Sequence, residues 1–223
     1  MMPDPGSPVR DMMPDPIGQA AHWLGSGGLL AYPTETIWGL GADARSAEAI
    51  ERLRRWKRRQ AGEPVALLVE NAERAAELGF QLGPAARRLA EAFWPGPLTL
   101  VVPSRDEFAP GVVRADGAVG LGCSAHPLAE VLARRLRLAG IGPITATSLN
   151  RSGEPPAATL TTAQTLCGEG PDEPHLIDIE GAEAGGDAES TVVDTTGTIP
   201  QVLRWGALPA NELEPVMEEI ARS

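Results

Sequence analysis

The fourteen residues Leu29–Ala42 (LLAYPTETIWGLGA) constrain this chain most, because an apolar run passes through a proline-started polar turn directly into glycines. Leu29, Leu30 and Ala31 read as a buried strand. Pro33 lacks a backbone donor and biases Tyr32 to an extended conformation, so the ladder is expected to stop there. Thr34, Glu35 and Thr36 then sit at the carboxyl end of the strand, where ligands bind in open α/β sheets. Gly39 and Gly41, read as part of the following loop, let backbone approach a ligand closely. On its own, the segment equally fits an ordinary strand-to-loop junction.

A chain of 223 residues can build one substantial core, and one domain is the expectation. Its hydrophobic content of 43% and charged content of 22% are those of a globular protein, with no apolar run of transmembrane length. No membrane role is expected. Cys123 and Cys167 stand far apart, without a CxxC or Cys/His cluster, so neither a disulfide framework nor a zinc site is indicated and a reducing cytoplasm fits best. A net charge of −11 opposes an extended nucleic-acid surface. Against that background, Arg52, Arg54, Arg55, Lys57, Arg58 and Arg59 place six of the 19 basic residues within eight positions. The cluster fits the solvated face of a helix or, more sharply, a local phosphate site.

Residues 1–16 contain the pentapeptide MMPDP twice and are too proline-rich for a regular element, so they read as a disordered tail without the basic and apolar regions of a secretory signal. Ile17, Ala20, Ala21 and Leu24 predict a helix ending at Gly25–Gly28. Ser46 caps a second helix carrying Ile50, Leu53 and Trp56, with Lys57 and Arg59 at or past its end. Strands are expected at Val65–Val69, Leu98–Val102, Val119–Leu121, Ile144–Thr147, Leu176–Ile179, Thr191–Asp194 and Gln201–Arg204. Helices are expected after Asn71, from Pro84 to Phe93, from Pro127 to about Leu138, and near Thr162–Cys167. Asn211 with Glu214 resembles a capping box opening a C-terminal helix over 209–223. Early alternation and late clustering of strands predict an α/β domain with a mixed sheet.

The chain has no Walker loop. Gly39–Ala44 matches only the loosest dinucleotide fingerprint and lies too far from its strand. Ser124 is outside a nucleophile elbow, His126 before Pro127 suits capping, His22 and His175 are isolated, and Cys123 reads as a small buried thiol. The coherent remainder is Thr34, Thr36, Ser148, Asn150, Ser152, Ser190 and Thr191 at strand ends, with Lys57, Arg59 and Arg204 as fixed positive charge. That set suits a phosphorylated ligand with an uncharged polar portion.

The ordered motifs YPTETIWGLGA at Tyr32–Ala42, KRR ending at Arg59, WPGPLTLV at Trp94–Val101, AHPL at Ala125–Leu128, SLNRSG at Ser148–Gly153, STVVD at Ser190–Asp194 and LRWG at Leu203–Gly206 resemble the YrdC-like family over residues 17–208. The resemblance implies one twisted α/β domain, with a mixed sheet and flanking helices around a large concave cavity, in the short form without a further C-terminal domain. It also implies synthesis of threonylcarbamoyl-AMP and pyrophosphate from L-threonine, bicarbonate and ATP, with Mg²⁺, for N6-threonylcarbamoylation of adenosine 37 in tRNA, which the product reaches through other proteins. By this resemblance Lys57 and Arg59 are catalytic and, with Ser148, Asn150 and Arg204, bind ATP. Thr34, Thr36 and Ser190 bind threonine, and no residue is assigned to a metal.

The chain departs from that pattern at Gly122, where the family carries an arginine that contacts the amino acid. Arg114 or Arg151 is the candidate replacement. Glu63 stands near the nucleotide where asparagine is common, Leu68 where some members have histidine, and Trp38 where tyrosine or phenylalanine is usual. Two alternatives therefore accompany the first reading. One is a divergent YciO-type relative that binds nucleotide or RNA with weak or different substrate activity. The other is a non-catalytic module binding double-stranded RNA through the cavity.

Overall fold

The computed structural model describes residues 15–60, 63–177, 179 and 181–222, so almost all of the proline-rich tail lies outside the described residues. In chain order the elements are α1 (Pro16–Gly25), β1 (Leu29–Pro33), β2 (Trp38–Gly41), α2 (Ala47–Lys57), β3 (Leu67–Leu68), α3 (Ala72–Glu77), α4 (Pro84–Phe93), β4 (Leu98–Pro103), β5 (Ala118–Gly122), α5 (Pro127–Leu138), β6 (Thr147–Ser148), α6 (Leu160–Leu166), β7 (Pro174–Leu176), β8 (Thr191–Asp194), β9 (Gln201–Arg204) and α7 (Ala210–Ala221).

The expected mixed pairing is present, divided between two sheets of order β6-β2-β1-β7 and β3-β5-β4-β8-β9. In the first, β1 pairs antiparallel with β2 and parallel with β7. In the second, β4 lies antiparallel to β5 and parallel to β8. Ile144–Ala146 stitches the sheets together: Leu68 N–H donates to Ile144 O at 2.9 Å and Ala146 N–H to Ala66 O at 2.7 Å. Fully buried Thr145 donates its hydroxyl to Leu40 O at 2.8 Å and accepts from Ala42 N–H at 3.0 Å. A side chain here takes over bonds that a ladder would make, so the expected strand Ile144–Thr147 contracts to Thr147–Ser148. The expected strand Val65–Val69 likewise contracts to Leu67–Leu68, and the later one shifts to Pro174–Leu176.

The glycine run after the polar turn is a strand, not a loop. Gly39 pairs with Tyr32 and Gly41 with Leu30, making Thr34–Ile37 the connection of a β-hairpin. An added Cβ on Gly39 would meet the Tyr32 ring at 2.9 Å, so the glycine makes room for a buried aromatic ring across the hairpin. The core between sheets and helices includes Leu24, Leu30, Tyr32, Trp38, Leu53, Leu89, Leu100, Leu121 and Leu132.

Ser46 caps α2 as expected, accepting from Ala49 N–H at 3.2 Å, and Ile50, Leu53 and Trp56 are buried. Arg58 ends that helix in the left-handed region at φ 54°, turning the chain between Lys57 and Arg59. The expected cap at Asn211 is corrected: the cap position is Pro209, two residues earlier, with no side-chain cap bond. Leu213 is buried, and α7 packs against α4. Among the described residues, no helix is long and apolar enough to cross a membrane.

Candidate functional site

A cavity of about 590 Å³ lies against both sheets, a size suited to a small-molecule ligand. Its wall brings together Thr34, Thr36, Lys57, Arg59, Ser148, Asn150, Ser190 and Arg204, all eight residues that the family resemblance assigns to catalysis or binding. They come from the β1–β2 hairpin, the end of α2, β6 and its following loop, and the region of β8 and β9. Gly120, Gly122, Thr99, Val101 and Val192 give the second sheet's face a small-residue floor.

Lys57 is only 3% exposed, an unusual location for an ammonium group. Its Nζ donates to Ser148 O, to Asn150 O at 3.1 Å and to Asn150 Oδ1 at 2.9 Å. The Ser148 hydroxyl donates to the same amide oxygen at 2.7 Å, and Asn150 Nδ2 donates to Glu154 O at 2.6 Å. The KxR and SxN motifs are thus one hydrogen-bonded unit. Burial, reinforced by the Arg59 charge and partly offset by Glu189, pushes the Lys57 pKa down to about 8.

The other cavity cations hold acidic partners. Arg59 Nε donates to Glu63 at 2.8 Å and its guanidinium also to Pro64 O at 2.9 Å. Arg204 pairs with Glu189 at 2.7 Å and donates to Ser190 O at 2.9 Å. Arg114 pairs with Asp194 at 2.7 Å and Asp116 at 2.6 Å. These pairs hold the positive groups around the cavity in defined positions.

Thr34 serves the hairpin itself. Its hydroxyl donates to Ile37 O at 2.6 Å and accepts from the Thr36 and Ile37 amides, both at 3.2 Å. Thr36 Oγ1 lies 2.9 Å from Thr34 Oγ1, and Thr36 is almost fully buried. Ser190 follows Glu189 on the segment clasped by Arg204. Ser152 also lines the cavity, whereas the Thr191 hydroxyl is buried and donates to Leu208 O at 2.7 Å.

Gly122 lines the cavity in open space, since an added Cβ would meet only Thr99 Oγ1, at 3.9 Å. Of the two candidate replacements for an arginine there, Arg114 lines the cavity with its two acidic partners, while Arg151 stacks over Trp56 at 4.2 Å and donates to Trp56 O. Cys123 is the buried thiol expected, and burial with nearby Glu35 and Glu130 raises its pKa to about 12. His126 caps α5 by accepting from Leu128 N–H at 3.2 Å. Glu35, Ser124 and Glu189 are cavity residues not selected as binding residues from the sequence. Only their place beside the polar turn, the AHPL motif and STVVD signals them.

The fold and site together define an α/β domain whose cavity, against both sheets, is lined by arginines, a buried lysine, hydroxyls and carboxylates. The match to the Sua5, YciO and YrdC family, described as telomere recombination, extends over residues 22–206, and the chain belongs to that family. It is similar to the threonylcarbamoyl-AMP synthase of Pyrococcus abyssi, with 36% identity over 202 residues covering 90% of this chain and 57% of that protein. A putative threonylcarbamoyl-AMP synthase of Mycobacterium tuberculosis is 33% identical over 202 residues, covering 90% of this chain and 88% of its own. The crystal structure of P. abyssi Sua5 complexed with L-threonine superposes with a TM-score of 0.79 at 35% identity, covering 90% of this chain and 56% of that one. Escherichia coli YciO shares the fold, with a TM-score of 0.74, 22% identity and coverage of 88% and 91%. The chain therefore spans little more than half the length of the P. abyssi protein.

Proposed function

We propose that this protein is a threonylcarbamoyl-AMP synthase, forming threonylcarbamoyl-AMP and pyrophosphate from L-threonine, bicarbonate and ATP. The observation that carries the reading is the union of KxR and SxN through Lys57, within a cavity that also holds Arg59, Arg204 and the hairpin hydroxyls. Similarity to proteins named for this activity supports it. The product would serve N6-threonylcarbamoyladenosine formation in tRNA through other proteins, within the cytoplasm.

A carbamate oxygen attacks the α-phosphorus while pyrophosphate leaves, so negative charge gathers on the phosphoryl oxygens and leaving group. Preorganised cations stabilise that charge without reorganising during the step. Arg59 and Arg204 are those cations, and Lys57 holds Ser148 and Asn150 in place beside the nucleotide. Thr36 and Ser190 receive threonine, with Thr34 shaping the turn that presents Thr36. Among the described residues no group of three or more His, Cys, Asp or Glu gathers to hold a metal, and Glu63 and Glu189 already pair with arginines, so Mg²⁺ would come with ATP and not be held by the protein's own carboxylates. When bound, it would neutralise part of the triphosphate charge.

The test is pyrophosphate release from ATP with L-threonine and bicarbonate omitted in turn. Release that requires both is expected, and release indifferent to threonine would overturn the reading. Gly122 favours one second reading, a YciO-type relative, because the cavity is open at that position and Arg114 is tied to two carboxylates. ATP binding without threonine-dependent turnover would select it, as would cavity binding of double-stranded RNA lost on replacing Lys57 and Arg59 together by alanine.

A further inference from the structure

Three carboxylates line the cavity: Glu35, Glu63 and Glu189. Glu63 pairs with Arg59 at 2.8 Å and Glu189 with Arg204 at 2.7 Å. Glu35 is different. Its hydrogen-bond partner is the neutral Ser124 hydroxyl, and among the described residues it forms no ion pair. Ser124 Oγ accepts from His126 N–H at 3.1 Å, which directs its one proton toward Glu35. The carboxylate is therefore held in place while its charge stays uncompensated. The groups that feel this charge, Tyr32 on β1 and Cys123 after β5, are both shifted upward, by burial first and by Glu35 second.

The backbone beneath Glu35 is also fixed. Gly185 N–H donates to Thr34 O at 2.9 Å, and a Cβ on Gly185 would lie 2.8 Å from Glu35 O. Gly186 packs in the same way, since a Cβ there would lie 3.1 Å from Thr36 O. Two glycines of the acidic loop thus rest directly on the hairpin turn that carries Glu35. A positioned, uncompensated carboxylate repels phosphate and bicarbonate, yet it suits a ligand's cation. Among the three substrates of the proposed reaction, only the amino acid carries an ammonium group.

We infer that Glu35 receives the α-ammonium group of the amino-acid substrate and accepts its proton as the amine is carboxylated. This assignment rests on the proposed synthase activity. An N–H bond breaks, its electron pair stays on nitrogen, and the proton moves to a Glu35 oxygen. The amine nitrogen then bonds to the bicarbonate carbon, and the C–OH bond breaks. The departing hydroxide takes the second nitrogen proton as water, leaving the carbamate, and Glu35 returns its proton to solvent.

The test compares L-threonine with 3-hydroxybutanoate of matching configuration, which keeps the skeleton and replaces the amine by hydrogen. Wild-type protein should bind threonine at least tenfold more tightly than this analogue, Glu35→Asp should retain a preference, and Glu35→Gln should abolish it. The Glu35→Gln to wild-type ratio of kcat/KM for threonine should rise several-fold between pH 7 and 9, as free amine replaces ammonium. Taking the ratio removes titrations common to both proteins, including that of Lys57, while Tyr32 and Cys123, which Glu35 itself shifts, are both pushed above this pH window. Calorimetry of threonine binding to wild-type protein in two buffers at pH 7 should show no net proton release, a readout independent of how the variants fold. Unchanged discrimination and a flat ratio in Glu35→Gln, or release of one proton by wild type, would overturn the assignment alone. A wild-type protein that neither binds threonine nor turns it over would overturn the synthase reading and this assignment together.

Discussion

Lys57 Nζ donates to both oxygens of Asn150, at 3.1 and 2.9 Å, and thereby fastens the end of α2 to the loop after β6. The lysine acts first on protein oxygens, with Ser148 O as its third acceptor. Lys57→Ala should leave these acceptors without their buried donor and weaken ATP binding by about 2–4 kcal/mol, roughly 30- to 1000-fold. Lys57→Arg should recover little, because a planar fork cannot reproduce three converging ammonium bonds. Isothermal titration with ATP checks both variants, and wild-type affinity in a folded Lys57→Ala would refute the arrangement.

The pH dependence of Lys57 has a defined sign. Its native pKa is lowered from 10.5 to about 8, so between those values the unfolded chain binds more protons than the native one. The contribution of Lys57 to unfolding free energy therefore rises with pH across that window. Activity should move the other way, falling above about pH 8 as the ammonium loses a donor to the loop. Denaturant unfolding of wild type and Lys57→Met from pH 7 to 10 should show the differential rise, and parallel curves would contradict it.

Glu63 competes with phosphate for Arg59, with which it pairs at 2.8 Å. Glu63→Gln should remove that competitor and tighten ATP binding by about 0.5–1 kcal/mol, up to roughly fivefold at low salt. The gain should shrink in about 0.5 M NaCl, where exposed charge pairs are screened. Weaker ATP binding by the variant would show that Glu63 helps hold the nucleotide.

Gly122 has space for a side chain, because a Cβ there would find its nearest neighbour, Thr99 Oγ1, 3.9 Å away. Gly122→Arg should supply a guanidinium to the threonine carboxylate and improve threonine affinity about tenfold or more. A folded variant with unchanged affinity would place the amino-acid carboxylate elsewhere.

Trp38 is fully buried in β2, and its indole N–H has no hydrogen-bond partner among the described residues. Phenylalanine would remove that unsatisfied donor, offsetting about 1–3 kcal/mol of the packing lost with the larger ring. Trp38→Phe should thus lie within about 1 kcal/mol of wild type in urea unfolding. A loss above about 3 kcal/mol would mean that packing dominates.

Most helices are legible in the sequence because their signals are local. Ser46 and Asn71 accept from the amides at N3, Pro84 and Pro127 open their helices, and apolar spacing marks the buried faces of α1 and α2. Asn211 misleads because a capping pattern is only a short sequence match, and α7 starts at Ala210 without it. Strand β2 is hidden because Gly39 and Gly41 read as loop residues, whereas the need for glycine there comes from Tyr32 across the hairpin and from Ile144. The strand limit near Ile144 depends on Thr145, whose hydroxyl replaces ladder bonds through partners more than 100 positions away.

The α/β alternation, the buried helix faces and the residue types of the site are written in the chain, because periodicity, caps and short motifs act over a few residues. Folding in three dimensions divides the strands between two sheets, makes Lys57 the tie between KxR and SxN, and leaves Glu35 the cavity carboxylate without an ion-pair partner among the described residues. Those outcomes depend on which distant groups meet in low-dielectric surroundings, where a hydrogen bond or an uncompensated charge acquires its weight.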